Sequence, residues 1–390
     1  MEFAFTAEQL LIQETADRFL AEVSDSSAVR TAMSSVAGYD ATTWTRIAEE
    51  MGWPALHIPE EYGGLGLGFV ELSILLEQMG RYLLCAPFYA TACLATPALL
   101  LSSNEALKQR WLPTIAAGSC SATLAFAGGQ GWGADDVTAS VQPLADGYRL
   151  SGHYPQVIDG CQATLLIIAA RTPDSTGEAG ISLFSLPRET PGVHCTALAT
   201  LDQTRRLARV ELQDVQLDAG QLLGSFGQCG ALLSEVLQLA CIGLAAEQTG
   251  GAQAALDMTL AYTAERQQFG RSIASFQAIK HRCADMMLQL ECARSAAYYA
   301  ACVAQERLDP EGDAQVRSEL LAAAATAKIH ASEAFMQCAA DSIQLHGGVG
   351  FTWEYDPHLY FKRARASEQL LGSPALHRER LATQILGELG

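Results

Sequence analysis

Paired cysteines are missing from this chain. Its eleven Cys, an odd number, are scattered from Cys85 to Cys338 with no CxxC pair. A disulfide framework or a zinc site needs paired spacing, so these thiols read as small buried hydrophobes in a reducing, cytoplasmic setting. Positive charge is also scarce: 25 Lys and Arg against 43 Asp and Glu give a net charge of -18. That balance argues against a nucleic-acid partner, because neutralising phosphates takes surplus Lys and Arg. An anionic small ligand would need a local basic cluster. Long unbroken apolar runs are absent too. Pro97 interrupts 88–101 and Glu235 interrupts 231–246, so no membrane span is expected. The opening MEFAFTAEQL has neither a basic n-region nor an apolar h-region, so no signal peptide is expected. His57, close to Pro59, and His281, after Lys280, have no second ligand at metal spacing and are expected to play packing or surface roles. Neither a G-x-S-x-G elbow nor a strand-borne G-x-G-x-x-G supports hydrolase or nicotinamide chemistry.

What is present is a long, apolar chain. It has 390 residues, 49% hydrophobic and 17% charged, enough for two or three domains with real cores. The spacing predicts an N-terminal helical domain over 1–118. It opens with a capping box at Thr6 and Gln9, a staple between Phe5 and Leu10, and a stripe of Leu10, Leu11, Phe19 and Leu20. A Gly-rich loop lies at HIPEEYGGLGLG (57–68). Short β-type segments with turn punctuation follow over 119–225, among them ATLAFA, YRLSG and ATLLIIAAR, with Asp146-Gly147 reading as a hairpin turn. That spacing predicts a small antiparallel barrel or sandwich. From 226 to 390 four long segments, near 227–264, 275–306, 314–343 and 375–388, predict a four-helix bundle. The fold class is therefore α+β, in the order α, β, α.

Three local patterns carry more than this order: ERQQFGRSIASFQAIKHRCAD (265–285), QLHGGVGFTWEYD (344–356) and IPEEYGGLGL (58–67). Together, in this order and spacing, they resemble the acyl-CoA dehydrogenase family over nearly the whole chain. The resemblance implies α,β-dehydrogenation of an acyl-CoA thioester, with FAD between the β-domain and the bundle and the flavin N5 as hydride acceptor. It implies an oligomer, a dimer or tetramer, in which the dinucleotide crosses the interface. Carried over, the dinucleotide-binding residues are Arg266, Gln268, Phe269, Gln277, Gln344, Gly347 and Gly348. The residue chemistry agrees: an Arg fork matches pyrophosphate oxygens, and glycines let backbone N–H groups approach a ligand. For any one such site alone, a C-cap glycine beside a surface Arg is the commoner explanation. An electron-transfer flavoprotein is the electron acceptor that the resemblance implies.

The family's chemistry needs a carboxylate to take the α-proton. Its usual positions hold Leu371, in FKRARASEQLLGSP (361–374), and Ala240 on the first bundle helix. Glu247 lies two helical turns after Ala240 on roughly the same face. Its helical neighbours Gly243, Leu244, Gly250 and Gly251 predict close approach of another group. The A-A-E-x-x-G-G pattern resembles a subgroup acting on bulky acyl-CoA esters in which this Glu is the base. The alternatives are an ordinary helix Glu in a structural salt bridge, and Glu368 as base. Arg363 and Arg365 read as surface or interface charges. In the β-domain the flavin-facing segments depart from the family: LAFAGGQGWG (124–133) lacks a hydroxyl, leaving backbone contacts from Phe126 and Ala127, and YPQVIDG (154–160) has Gln156 and Ile158 in place of an aromatic and a hydroxyl. An intact clamp beside a depleted flavin face also fits one half of a hetro-oligomer completed by a paralogous chain.

Overall fold

The computed structural model describes residues 5–129, 131–309 and 312–387. Helices α1 (Ala7–Val23), α2 (Ser26–Ser34), α3 (Ala41–Glu49) and α4 (Phe69–Arg81) come first. Short α5 (Phe88–Ala90) and α6 (Thr96–Leu100), joined by a π-helical turn at Thr91–Ala95, and α7 (Glu105–Ala116) complete the first helical stretch. Seven strands follow: β1 (Ala122–Ala125), β2 (Ser140–Leu144), β3 (Gly147–Ile158), β4 (Leu165–Arg171), β5 (Ile181–Pro187), β6 (Val193–Ala197) and β7 (Leu207–Leu217). The last stretch holds α8 (Gly230–Glu265), the two-residue strands β8 (Gln267–Gln268) and β9 (Arg271–Ser272), α9 (Gln277–Leu308), α10 (Ala314–Arg317), α11 (Leu320–His346), α12 (Pro357–Gln369) and α13 (Pro374–Leu386). By packing, the chain forms two compact units that cut across the expected boundaries near 118 and 225. One comprises residues up to Thr31, Phe69–Leu84 and Cys241 onward; the other comprises Ala32–Gly68 and Cys85–Ala240.

The first unit is the helical bundle. Its core includes Ala252, Leu256, Met286, Leu290, Phe335 and Cys338. The four expected segments correspond to α8, α9, α11 and α13, and α12 is an addition. Its buried face mixes Leu359 and Ala364 with Arg363 and Ser367, so it lacks the apolar stripe that announces a helix. At α1 the Thr6–Gln9 capping box forms, with 3.0 and 3.2 Å bonds. Phe5, just before the cap, sets its ring edge-on to Tyr298 at 5.2 Å. Leu10 and Leu11 are exposed, and the buried stripe is Ala16, Phe19 and Leu20. α8 is long and apolar enough to cross a membrane, but most of its apolar window is buried within the protein, as befits a core helix.

The second unit contains the sheet, ordered β1-β4-β2-β3-β7-β6 with β5 on β4. Most pairs are antiparallel, but β1 runs parallel to β4, so the sheet is mixed where a purely antiparallel one was expected. β2 also pairs in parallel with β4, at Ser140 and Arg171, because the chain reverses into β3 and then again into β4. That hairpin turns through Ala145-Asp146, with Gly147 pairing back to Leu144, one residue from the predicted turn. Inside lie Leu150, Tyr154, Leu166, Ile168, Phe184 and Val210, and the Tyr154 hydroxyl donates to Ala169 O at 2.8 Å.

Two buried histidines contribute to acid sensitivity. His57, in the second unit, and His377, on α13 in the first, are each held at about 4 by burial, which penalises the imidazolium. Their folded values lie below the unfolded 6.5, so between about 6.5 and 4 the unfolded chain binds more protons and stability falls with pH. Urea midpoints measured between pH 7 and 4.5 should decline accordingly. His57→Leu should flatten part of that decline, and an unchanged slope would show that the imidazole does not contribute.

Candidate active site

Glu247 stands in the middle of α8, a carboxylate on a helix whose neighbouring residues are mostly hydrocarbon. The small residues around it are explained by another helix of the same unit. A Cβ on Gly80 of α4 would fall 1.9 Å from Glu247 O, and one on Gly250 would fall 1.7 Å from Glu77 O. α4 and α8 therefore cross in backbone contact, and the close approach predicted at Gly250 is made by α4. Gly251 on the adjoining face meets the ring of Phe335. The Glu247 carboxylate itself accepts from Arg363 Nη1 of α12 at 2.5 Å, with the two side chains only 7% and 4% exposed. Arg363 is thus a buried partner and not the surface charge expected. Its neighbour Arg365 is the exposed one and pairs with Glu368.

A polar layer lies beside this pair. Gln248 Nε2 donates to Ser332 Oγ and Ser367 Oγ, both at 3.1 Å, joining α8, α11 and α12. Fully buried Lys328 donates to Ser332 Oγ (2.8 Å), Ser367 O (3.0 Å) and Glu368 O (3.1 Å). All three ammonium donors are used, two of them on the C-terminal carbonyls of α12, where a cation is favoured. Burial lowers this amine to about 8. Beyond α12 the chain turns at Leu371, which is buried at φ 60°. Its carbonyl accepts from His377 Nε2 at 3.1 Å. Hydrocarbon therefore occupies the usual base position, and Ala240 occupies the other. Glu368 is engaged by Arg365 through its carboxylate and by Lys328 through its carbonyl. A further carboxylate, Glu77 on α4, is pushed up by burial, with Arg294 of α9 acting against that shift.

The clamp residues have the opposite character. α8 ends at Glu265, and the Phe269-Gly270 break is the tip of a two-residue hairpin between β8 and β9. Both tip residues have positive φ, 54° and 76°, the requirement of a type I′ turn. The Phe269 ring is 90% exposed. Arg266, Gln268, Gln277 and Gln344 are all exposed, and none of their side chains forms a hydrogen bond or ion pair with another described residue. Gly347, at φ 65°, and Gly348 are exposed with open space where a Cβ would stand. Unengaged guanidinium and amide groups beside an open glycine turn suit the pyrophosphate and adenine of a dinucleotide, so this half fits FAD.

In the other unit, Phe126 and Ala127 are buried just after β1, with Phe126 and Trp132 rings 6.0 Å apart. Neither makes a backbone hydrogen bond to another described residue, which leaves main-chain groups for a ligand. The adjoining loop is braced by Arg171, which donates to the carbonyls of Ala134, Val137, Gly177 and Ala179. Gln156 is exposed beside a bulge in β3, and Ile158 is buried. This half fits FAD through its backbone.

The sequence and fold so described are similar to those of known proteins. The model of the acyl-CoA dehydrogenase N-terminal domain matches residues 6–119, and that of the C-terminal domain matches 231–386. The chain is 34% identical to acyl-CoA dehydrogenase IpdE2 of Mycobacterium tuberculosis over 97% of each chain. Among solved structures it is similar to the ChsE4–ChsE5 complex of Mycobacterium tuberculosis, with TM-score 0.88, 26% identity and full coverage of both chains. It is also similar to the Tcur3481–Tcur3483 steroid ACAD, with TM-score 0.83 and 29% identity over 97% of this chain and 98% of that one. The chain belongs to the acyl-CoA dehydrogenase family, a class of oxidoreductases.

The buried pair generates a stability test. Breaking one partner leaves a buried charge facing a neutral group, at a cost of about 3–5 kcal/mol. Glu247→Gln and Arg363→Met should each lower the unfolding free energy, read by urea titration, by that order, and the double variant should lose clearly less than the sum. Additive losses would mean the two groups are not coupled.

Proposed function

We propose that this chain catalyses FAD-dependent α,β-dehydrogenation of an acyl-CoA thioester, with Glu247 taking the α-proton. The observation that carries the reading is the buried Glu247 carboxylate on α8, in a chain whose other family base positions hold Ala240 and Leu371. When bound, FAD supplies the acceptor for the hydride that leaves Cβ as Glu247 accepts the proton from Cα. The chain's own contributions are positional. Arg266 would hold the pyrophosphate, and Gln277, Gln344 and the Gly347–Gly348 turn the adenine end, with Gln268 and Phe269 at the hairpin tip. Phe126 and Ala127 would meet the ring system through their main chain. Arg363 keeps Glu247 in one rotamer and away from water, and the pair must open for Glu247 to accept a proton. An electron-transfer flavoprotein fits as the electron acceptor by family analogy. The likeness to a steroid ACAD supports a bulky or ring-bearing acyl group. Eleven free thiols suit a reducing, cytoplasmic setting.

A second reading is favoured by two particular observations. Glu247 is engaged by Arg363, and the β-unit offers Gln156 and Ile158 where the family has an aromatic and a hydroxyl. The chain would then be one half of a hetero-oligomer, supplying the clamp for a paralogue's flavin; the similar ChsE4–ChsE5 structure is itself a complex of two chains. The absorbance spectrum of the chain purified alone decides between them. Stoichiometric FAD that bleaches on adding an acyl-CoA is the expected result. A colourless protein that gains FAD only when co-expressed with a paralogue would replace the first reading with the second.

A further inference from the structure

Two separate segments of the bundle unit carry exposed, unengaged polar groups: the hairpin after α8, with Arg266 and Gln268, and the turn after α11, with Gln344, Gly347 and Gly348. No hydrogen bond of the described residues runs between 265–272 and 344–351. Three rings connect their bases instead. Tyr262, in the last turn of α8, accepts the Arg266 N–H on its carbonyl at 2.9 Å. Its ring stacks on His346, with centroids 4.3 Å apart and planes 22° from parallel. Tyr355 stands edge-on to both, at 6.2 Å from Tyr262 and 6.3 Å from His346.

His346 is fixed from every side that matters to this geometry. It is the last residue of α11, is buried, and donates from Nδ1 to Ser342 O at 2.7 Å, which settles the ring's orientation. Tyr355 is fixed in turn, because Arg30 of α2 donates to Tyr355 O at 3.2 Å and pairs with Asp356 at 2.6 Å. The residue after His346 is Gly347, whose left-handed φ starts the open turn. A small shift of the His346 ring would therefore move that turn relative to Arg266.

We propose that His346 is a positioning residue of a dinucleotide clamp: clasped between Tyr262 and Tyr355, its ring sets the spacing between Arg266 and the Gly347–Gly348 turn. The proposal rests on the reading that these two segments hold FAD. It assigns His346 no contact with the ligand; its effect passes through the two segments it joins. Aromatic stacking, not the imidazole's protons, is the property required.

The test is the dissociation constant for FAD, read by flavin fluorescence on the FAD-carrying oligomer after cofactor removal, with the thermal midpoint of each apo-protein alongside. His346→Leu fills the volume without the stack and should weaken FAD binding by about three- to tenfold. His346→Phe keeps the stack without the hydrogen bond and should bind within about twofold of the parent. The apo midpoints of the two variants should stay together, which a purely structural role would not produce alongside different affinities. Arg266→Gln is the control for the underlying reading. If it weakens FAD and His346→Leu does not, or if Leu and Phe weaken it equally, the positioning role is overturned and the clamp stands. If Arg266→Gln leaves FAD binding unchanged, the clamp itself is wrong and the inference falls with it.

Discussion

A charged pair, Glu247 with Arg363, sits where a helix bundle would ordinarily place hydrocarbon. Removing either ion from water costs several kcal/mol, and only a close partner with good geometry offsets it. The helices around the pair are arranged to meet that demand. Gly80 and Gly250 bring α4 into backbone contact with α8 and seal one side. Gln248, Ser332, Ser367 and Lys328 tie α8, α11 and α12 together on another, which places α12 and its Arg363 beside the carboxylate. Each buried donor in that layer finds an acceptor, which is what makes a polar layer tolerable inside a bundle.

The same helix shows two regimes along its length. In its middle, α8 offers a dry carboxylate whose charge is already answered. At its C-terminal end it gives way to a hairpin whose Arg266 and Gln268 side chains make no hydrogen bond or ion pair with a described residue, and whose exposed Phe269 meets the edge of Phe276, at 6.1 Å. A folded protein gains little by exposing an aromatic at a positive-φ turn, and such positions are held when a ligand or partner uses them. On the proposed function, the bundle would separate proton chemistry, which needs a water-excluded carboxylate, from dinucleotide binding, which needs free donors at the surface.

Much of this was legible in sequence. The α–β–α order followed from periodicity, the Thr6 cap from its spacing to Gln9, and the β2–β3 hairpin from Asp146-Gly147. The residues proposed for the clamp lie in motifs that are contiguous in the chain, and the structure leaves them exposed. What could not be read depended on distant partners. Arg363 is 116 residues from Glu247, and RAR on a charged helix looks like surface until the partner helix is known. The small face around Glu247 predicted close approach, yet nothing local identified α4 as the visitor. α12 hid because its buried face carries Arg363 and Ser367, and β1 pairs in parallel with β4 because of a connection that local patterns do not encode. The Phe269-Gly270 hairpin was hidden as well: Phe is not among the residues that a type I′ turn prefers at its first position, and only Gly270 signalled a turn.

The central claim is that the dry carboxylate on α8 takes the substrate's proton as well as holding Arg363. The most direct measurement is the rate at which bound flavin bleaches with an acyl-CoA in Glu247→Gln, on the oligomer that carries FAD, with FAD content and acyl-CoA binding measured in parallel. The account predicts that both bind as in the parent while the bleaching rate falls by about 10²–10⁴-fold, the usual size of a lost general base. Bleaching at the parental rate would contradict it and leave Glu247 as a structural partner of Arg363 alone.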